Sequence, residues 1–566
     1  MSKRGACLSA AAKPLALLTY ILSLTPGVLD RIADIRGMGG KIAFVGMFAL
    51  AIIGIVGAAW TRPTWLRWAL AILFAVGSWF MESYERSSLD FMTYAVYIDL
   101  VNATGFAGDA IEQNSRALSA AIPRALLLLL AIGLKPTGAF QMHGRLGPIV
   151  PLVPLAIVAL FTGFAFLRGG DGLKGVPGSY PALTYTLLAG YERLTGDLGP
   201  REAVAIAQAA KPLYRDIVLL IDESVTAHYL DINSPVGVFS GLTAPGEGIT
   251  LVNFGIAASI TNCSTGSNIA LRYAGTRDTY RRDIGVGPSL WAYAKEAGLE
   301  TVYLDAQRTG GALQNGMDAE EFAEIDRFIQ FDDVPVVERD MALGETLAEL
   351  LSDERSSFII ANKVGAHFPV HDKYPADRAL YLPSLAQGSY TNIVDTGSRA
   401  GFGGSEEEWK RYRNSYRNTL AWSTGEFFAD FLRNADLSRA LVIYTSDHGQ
   451  DLHEDREAGT TTHCSSSPRP EEGAVPLVVM QGEGGPLDFV PNGPASHYMI
   501  APTLLAAMGY ERAAVRARYG GALDEPSTDP GTFNTLFNAR LNREPQWQKV
   551  DEADFVAVPD DGPAKE

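Results

Sequence analysis

The sequence predicts an α-helical membrane domain of five transmembrane helices, followed by an extracytoplasmic α/β domain built on a mostly parallel sheet. Three observations carry this expectation. Five apolar runs occupy the first third of the chain. From Tyr214 onward, short β-branched and apolar runs alternate with segments of helical periodicity. Two of those runs stop at chemistry: residues 217–221 end in Asp222-Glu223-Ser224, and residues 442–446 end in Asp447-His448-Gly449.

With 566 residues, 47% hydrophobic residues and a mean hydropathy of +0.05, the chain is long enough for two domains and too apolar for an ordinary soluble enzyme. A net charge of −17 argues against a nucleic-acid partner, because phosphate neutralisation needs clustered Lys and Arg. Three cysteines, Cys7, Cys263 and Cys464, are too few for a disulfide framework or a thiolate zinc site.

Residues 1–13 form a basic leader that runs into the apolar stretch 14–24, which extends towards Leu29. A signal peptide is the rival reading; further apolar segments follow, and Cys7 precedes the stretch, which favours a retained helix. Residues 42–60, 65–81, 124–140 (interrupted by Lys135-Pro136) and 148–167 complete the five spans. The leader (Lys3, Arg4, Lys13) and the loops with Arg62 and Arg67 and with Lys135, His143 and Arg145 are basic. The loop 82–116 is acidic, with Glu82, Glu85, Asp90, Asp99, Asp109 and Glu112. Basic loops stay in the cytoplasm, so everything after Arg168 lies outside it.

Residues 83–119 mix aromatics with acids, as in an amphipathic helix on the outer bilayer surface. The glycine-rich 169–178 reads as a flexible connection, 180–191 as amphipathic, and 201–211 as an alanine-rich helix ending at Pro212. Strands are expected at 216–221, 301–304, 357–362, 440–444 and 475–479, and helices at 289–297, 341–351, 405–434 and 499–507. Such alternation covers both faces of a sheet and leaves ligands outside the strand carboxyl ends. Beyond Gln546 the acidic tail lacks core-forming periodicity and reads as disordered. The expected domains are 1–168 (membrane), 169–213 (extracytoplasmic linker), 214–545 (α/β) and 546–566 (tail).

Any one acid closing a strand is ordinarily a solvated end. Glu223, Asp447 and His448 together, with hydroxyls at Thr265 and Ser267, describe instead an oxygen- and imidazole-rich divalent site suited to zinc. The loop 262–268 runs into a helix start near Ile269, where Ser267 is either an N-cap or a hydroxyl beside anion-binding N–H groups.

The ordered set Leu220-Ile-Asp-Glu-Ser224, Val252-Asn253-Phe254 leading to Cys263-x-x-x-Ser267, Gly365-Ala-His367-x-Pro369, Thr445-Ser-Asp-His-Gly449, His463, Ala474-Val-Pro476 and Ser496-His497 with 501–505, placed after five spans, resembles the membrane-bound phosphoethanolamine transferases of the alkaline phosphatase and sulfatase superfamily. The resemblance implies an alkaline phosphatase/sulfatase-like catalytic domain in the periplasm of a multi-pass bacterial inner-membrane protein, expected to be a monomer. It implies that Glu223, Asp447, His448 and the nucleophile hydroxyl bind Zn2+, with Mn2+ or Mg2+ as alternatives. The family nucleophile is a threonine four residues after the loop cysteine, which falls on Ser267 here, with Thr265 as the rival. His367 and His463 would face the phosphoryl or leaving group, and His497, Asn268 and Asn315 the substrate. The donor would be a phospholipid, phosphatidylethanolamine, and the acceptor a glycolipid such as lipid A.

Departures from the family pattern are the missing cysteine pair around the nucleophile helix and a changed acceptor region near Thr226 and Asn233. Residues 305–311 with Gln314-Asn315 stand where the family has an Asn-Ser-Gly-Cys segment, and are expected to contact the head group. Cys263 and Cys464, each beside a site loop outside the cytoplasm, are expected to pair. Phosphoglycerol transfer to a glycan or sphingolipid is the alternative activity, and an inactive membrane-anchored binding protein is the alternative class. Sulfatase chemistry is disfavoured, because Cys263 is followed by Ser-Thr-Gly-Ser rather than by x-Pro-x-Arg.

Overall fold

A computed structural model describes residues 3–35, 37–88, 91–102, 111, 115–136, 150–196, 199–388, 404–455, 462–465, 467–535, 541 and 544–559. The chain divides into two compact units, one comprising residues 1–197 with short later segments, the other most of the remainder.

In the first unit, four described helical stretches are long and apolar enough to cross a membrane: Ala12–Ala33, Met38–Ala59, Thr64–Ser87 and Ser115–Gly133. A fifth apolar helix, Leu152–Leu167, has 16 residues, shorter than the ~20 that a bilayer core needs. The fourth span starts nine residues before the expected Arg124 and ends at Gly133, ahead of Lys135-Pro136. That end is capped by cations from two other elements. Lys13 Nζ donates to Ile132 O (2.7 Å) and Leu134 O (2.6 Å), and Arg67 Nε to Gly133 O (3.1 Å). The carbonyls left open by the last helical turn are thereby satisfied.

Helix Tyr94–Asn102 occupies part of the segment read as amphipathic, and Ser179–Thr195 covers the other. Residues 169–178 are not a loose connection: Leu173 and Val176 are buried in the helical core. The end of the fourth expected span, with His143 and Arg145, lies outside the described residues.

In the second unit a seven-stranded sheet has the order β2-β7-β6-β1-β5-β3-β4. Its strands are β1 (Asp216–Asp222), β2 (Ile249–Ala258), β3 (Glu300–Asp305), β4 (Arg327–Gln330), β5 (Ser357–Asn362), β6 (Ala440–Ser446) and β7 (Ala474–Gly482). The strands from β6 to β4 are parallel, whereas β7 runs antiparallel to both β6 and β2. Every residue of β1, β5, β6 and β7 is buried, as strands sandwiched between two helical layers must be. One layer contributes Trp291, Leu504 and Leu505, the other Leu343, Leu347 and Phe428.

Three expectations change here. Residues 201–211 form no helix: Ala209 N and Ala210 N donate to Gly509 O, and Leu213 N to Ala507 O, so pairing with the end of helix Ile500–Ala507 overrides alanine propensity. Part of the tail is ordered, because β9 (Trp547–Lys549) pairs with β8 (Thr532–Asn534). The expected single helix over 405–434 is interrupted by a π turn at Ala421–Glu426.

Candidate metal centre and active site

The register Asp222↔Ser446 between the adjacent parallel strands β1 and β6 sets the next residues of each chain, Glu223 and Asp447, side by side at one sheet edge. Because β7 is antiparallel to β6, its first residues lie at that same edge, and Ala474 pairs with Ala258 at the end of β2. The topology therefore delivers the loop after β2 (259–264) and the loop before β7 (462–473) to the carboxylates.

Glu223, Asp447 and His448 offer ligand atoms that all lie within 4.8 Å of one another, and all three are buried. Their orientation is fixed by backbone donors. Asp447 Oδ1 accepts from Ser224 N (3.0 Å) and His448 N (2.8 Å). His448 Nδ1 donates to Gly449 O (2.7 Å), which leaves Nε2 facing Glu223 Oε1 at 3.5 Å and Asp447 Oδ2 at 3.7 Å. Gly365, at φ +52°, must lack a side chain, since a Cβ would meet the Asp222 carboxylate and stand 2.7 Å from the Glu223 backbone.

Beneath the site, Lys363 Nζ pairs with Asp222 Oδ2 at 2.7 Å, both side chains fully buried, and lies 4.2 Å over the Phe427 ring. Tyr444 and Thr424 donate to the same carboxylate oxygen.

The electrostatics suit a cation. Burial and the neighbouring Glu223 charge push the Asp447 carboxyl up to about 8. Burial opposes a charged His448, but the two carboxylates outweigh it and push the imidazole up to about 9. Two carboxylates and an imidazole converging out of water form a hard-to-borderline divalent donor set.

Two hydroxyls reach this cluster: Ser224 Oγ donates to Glu223 Oε1 (2.9 Å), and Ser264 alone of the two also reaches His448. Ser264 Oγ donates to Glu223 Oε1 (2.9 Å) and is 3.0 Å from His448 Nε2. Ser264 is the first residue of helix Ser264–Tyr273, with Cys263 as its N-cap. Neither hydroxyl singled out from the sequence occupies this place. Ser267, one turn inside the helix, donates its Oγ to Thr261 O (3.0 Å) and accepts from Thr261 N (3.2 Å); Thr265 makes none of the contacts of Ser264. The helix begins five residues before the expected start, and this displaces the count.

Asn268 reaches Asp447 Oδ2 (3.3 Å) and Ser264 O (3.1 Å), bracing the acid and the helix start. His463 stacks on His448 with ring centroids 4.4 Å apart. His367 follows β5, its Nδ1 donating to Phe368 O (2.8 Å); burial opposes a charged Glu223, but His448, and after it His367, hold that carboxyl well below the usual carboxylate range.

His497 is structural. Its Nδ1 accepts from Ile260 N (3.2 Å) and its Nε2 meets Thr445 Oγ1 (2.9 Å), so neither nitrogen is left for a substrate, and burial lowers its pKa to about 3. Asn315 stands apart from the triad, its carbonyl accepting from Arg272 at 3.0 Å. The glycine-rich stretch does reach the site, through a residue that sequence reasoning did not name as a site residue: Gln307 Nε2 donates to Glu223 Oε2 (3.1 Å) and Lys363 O (2.8 Å).

The expected cysteine pair is formed: Cys263 and Cys464 are disulfide-bonded. Around it, Asn262 Nδ2 donates to Glu472 Oε2 (2.8 Å) and Ser465 O (3.0 Å), and Ser465 Oγ to Glu472 Oε1 (2.6 Å). Burial outweighs these donors and pushes the Glu472 carboxyl up to about 7 from 4.5.

A raised carboxyl costs nothing below its unfolded pKa, and the whole cost is present once pH exceeds the folded one. Stability is therefore expected to fall between pH ~4.5 and ~7, by on the order of 3 kcal/mol from this group. Glu472→Gln should flatten the dependence of melting temperature on pH across that window; an unchanged slope would contradict the assignment.

Together the fold and the site define a member of the sulfatase family, whose profile matches residues 215–510, more than half of the chain. Among solved structures, the integral membrane protein lipooligosaccharide phosphoethanolamine transferase A (EptA) from Neisseria meningitidis is similar over 90% of this chain and 96% of its own, at 16% identity and a TM-score of 0.57. The C-terminal periplasmic domain of EcEptC from Escherichia coli, in complex with Zn, is similar over 60% of this chain and 94% of its own, at 16% identity and a TM-score of 0.46. No curated protein matches the chain. The resemblance to EptA is one of fold, and it extends through the membrane helices as well as the α/β unit.

Proposed function

We propose that this protein is a phospholipid head-group transferase of the bacterial inner membrane, working on the periplasmic side. It moves phosphoethanolamine from phosphatidylethanolamine to a glycolipid such as lipid A through a phosphoryl-enzyme on Ser264. The observation that carries the reading is the Ser264 hydroxyl, held at a helix N-terminus against Glu223 and His448 in a chain that also has membrane-length helices. A nucleophile there has backbone N–H groups of the first helical turn beside it to receive phosphoryl oxygens.

In the first half-reaction Ser264 Oγ attacks phosphorus. The Oγ–P bond forms as the bond to the diacylglycerol oxygen breaks, and the His463 ring protonates that leaving oxygen. In the second, the same ring takes the proton of the acceptor hydroxyl as it displaces Ser264. Glu223, Asp447 and His448 would hold a divalent cation, Zn2+ by the chemistry of the donor set. When bound it would favour loss of the serine proton and offset phosphoryl charge. Both substrates are lipids, which accounts for the membrane helices.

Lipid mass spectrometry of cells with and without the protein tests this. A glycolipid gaining phosphoethanolamine, with diacylglycerol rising, is the expected result. A gain of phosphoglycerol instead would reassign the head group, and no change in any glycolipid would reject the reading.

A further inference from the structure

The Cys263–Cys464 disulfide joins residues 201 positions apart, and each cysteine is the immediate neighbour of a group that the proposed reaction uses. Cys263 is the N-cap of the helix whose first residue is Ser264, and its side chain makes no capping hydrogen bond. Cys464 directly follows His463, the ring stacked on His448. The metal-ligating triad is carried separately, by the ends of β1 and β6, and the disulfide joins neither strand end.

The two linked loops are also stitched by Cys464 N donating to Asn262 O (2.8 Å) and by the shared acceptor Glu472, but these bonds do not fix the reach between Ser264 and His463 covalently. Both cysteines are half-buried.

We propose that this disulfide is a positioning link that sets the distance between Ser264 Oγ and the His463 ring, and that a dithiol which opens it switches transfer off reversibly while the triad keeps its metal. The inference rests on the roles given to Ser264 and His463 above. Opening consumes one dithiol. Its thiolate attacks one sulfur to give a mixed disulfide, its second thiol displaces the remaining protein sulfur, and it leaves as a disulfide. The two electrons and two protons that it gives up remain on Cys263 and Cys464 as thiols.

The test uses the purified full-length protein loaded with zinc, in three forms: oxidised; opened with dithiothreitol, with the reductant then removed; and the double variant Cys263→Ser/Cys464→Ser. Turnover of an acyl-labelled phosphatidylethanolamine in mixed micelles, zinc content and affinity for inorganic phosphate are read on each. The expected result is a kcat lower by about 100-fold in both opened forms, because a displacement of about 1 Å suffices for that loss. KM should stay within about threefold and zinc content unchanged, with weaker phosphate binding, and reoxidation of the dithiothreitol-opened protein should restore kcat.

Wild-type kcat in the opened forms overturns the proposal. So does a loss of activity that merely follows loss of zinc or of folded protein, which would make the bond a stability element. If the oxidised protein turns over no phospholipid, the transfer reading fails by itself. The link is then judged on phosphate affinity alone, and equal affinity in oxidised and opened forms overturns it.

Discussion

Ser264→Ala is expected to lower head-group transfer by ~10^3-fold or more and to abolish the phosphoryl-enzyme, while Ser267→Ala keeps turnover and loses stability. The contrast follows from where the two hydroxyls point. Ser264 Oγ lies between Glu223 and His448, and removing it leaves only the Ser224 hydroxyl on Glu223, with no hydroxyl bridging to His448 among the described residues. Ser267 Oγ serves only the Thr261 backbone, donating to its carbonyl and accepting from its N–H. Its loss strands a buried donor and acceptor, at a cost of about 1–3 kcal/mol. Intact-mass detection of the phosphorylated protein after exposure to donor lipid, paired with thermal melting, separates the two. A Ser264→Ala protein that still becomes phosphorylated would move the nucleophile elsewhere.

Asp447→Asn is expected to weaken zinc binding by at least ~100-fold and to remove activity, with the fold retained. An amide oxygen can still accept from Ser224 N and His448 N, so the strand end keeps its shape. What disappears is one of two carboxylate charges facing a cation, a larger loss than the ~10–100-fold typical of the residues that merely orient ligands. Equilibrium dialysis with zinc, alongside circular dichroism, reads both. Undiminished zinc in the variant would show that the metal is held by another set of groups.

Much of the architecture was readable from residue order because the central strands are buried on both faces. The run 217–221 is continuously apolar and 442–444 is apolar and aromatic before Thr445-Ser446, and the acids that follow mark the sheet edge. The half-buried edge strand β4 carries no such signal and was missed. The triad was legible residue by residue, whereas the register that sets Asp222 beside Ser446 was not, because pairing between strands more than two hundred residues apart leaves no local trace.

The expected nucleophile positions, Ser267 with Thr265 as rival, differ from the hydroxyl that meets both Glu223 and His448, which is that of Ser264. Counting four residues on from Cys263 does not locate the helix start, and here Cys263 is the cap itself, with its sulfur bonded to Cys464. The presence of just two cysteines after the leader, each beside a site loop, was the available clue, and it led to the disulfide but not to the shifted register. His497, expected at the substrate through the resemblance, has both nitrogens engaged, tying Ile260 to Thr445. Gln307 had no motif to announce it, since an amide that braces a carboxylate can come from any loop within reach.

The buried pairing of Lys363 with Asp222 bears on the charge balance of the edge above. Lys363 is shared between Asp222 and the buried Asp340, whose carboxyl accepts from Val364 N and Gly365 N, so among the described residues no cation beneath the edge is left over to offset Glu223 and Asp447. Those two carboxylates therefore depend on partners above the sheet, a bound cation among them, for compensation in a water-poor setting.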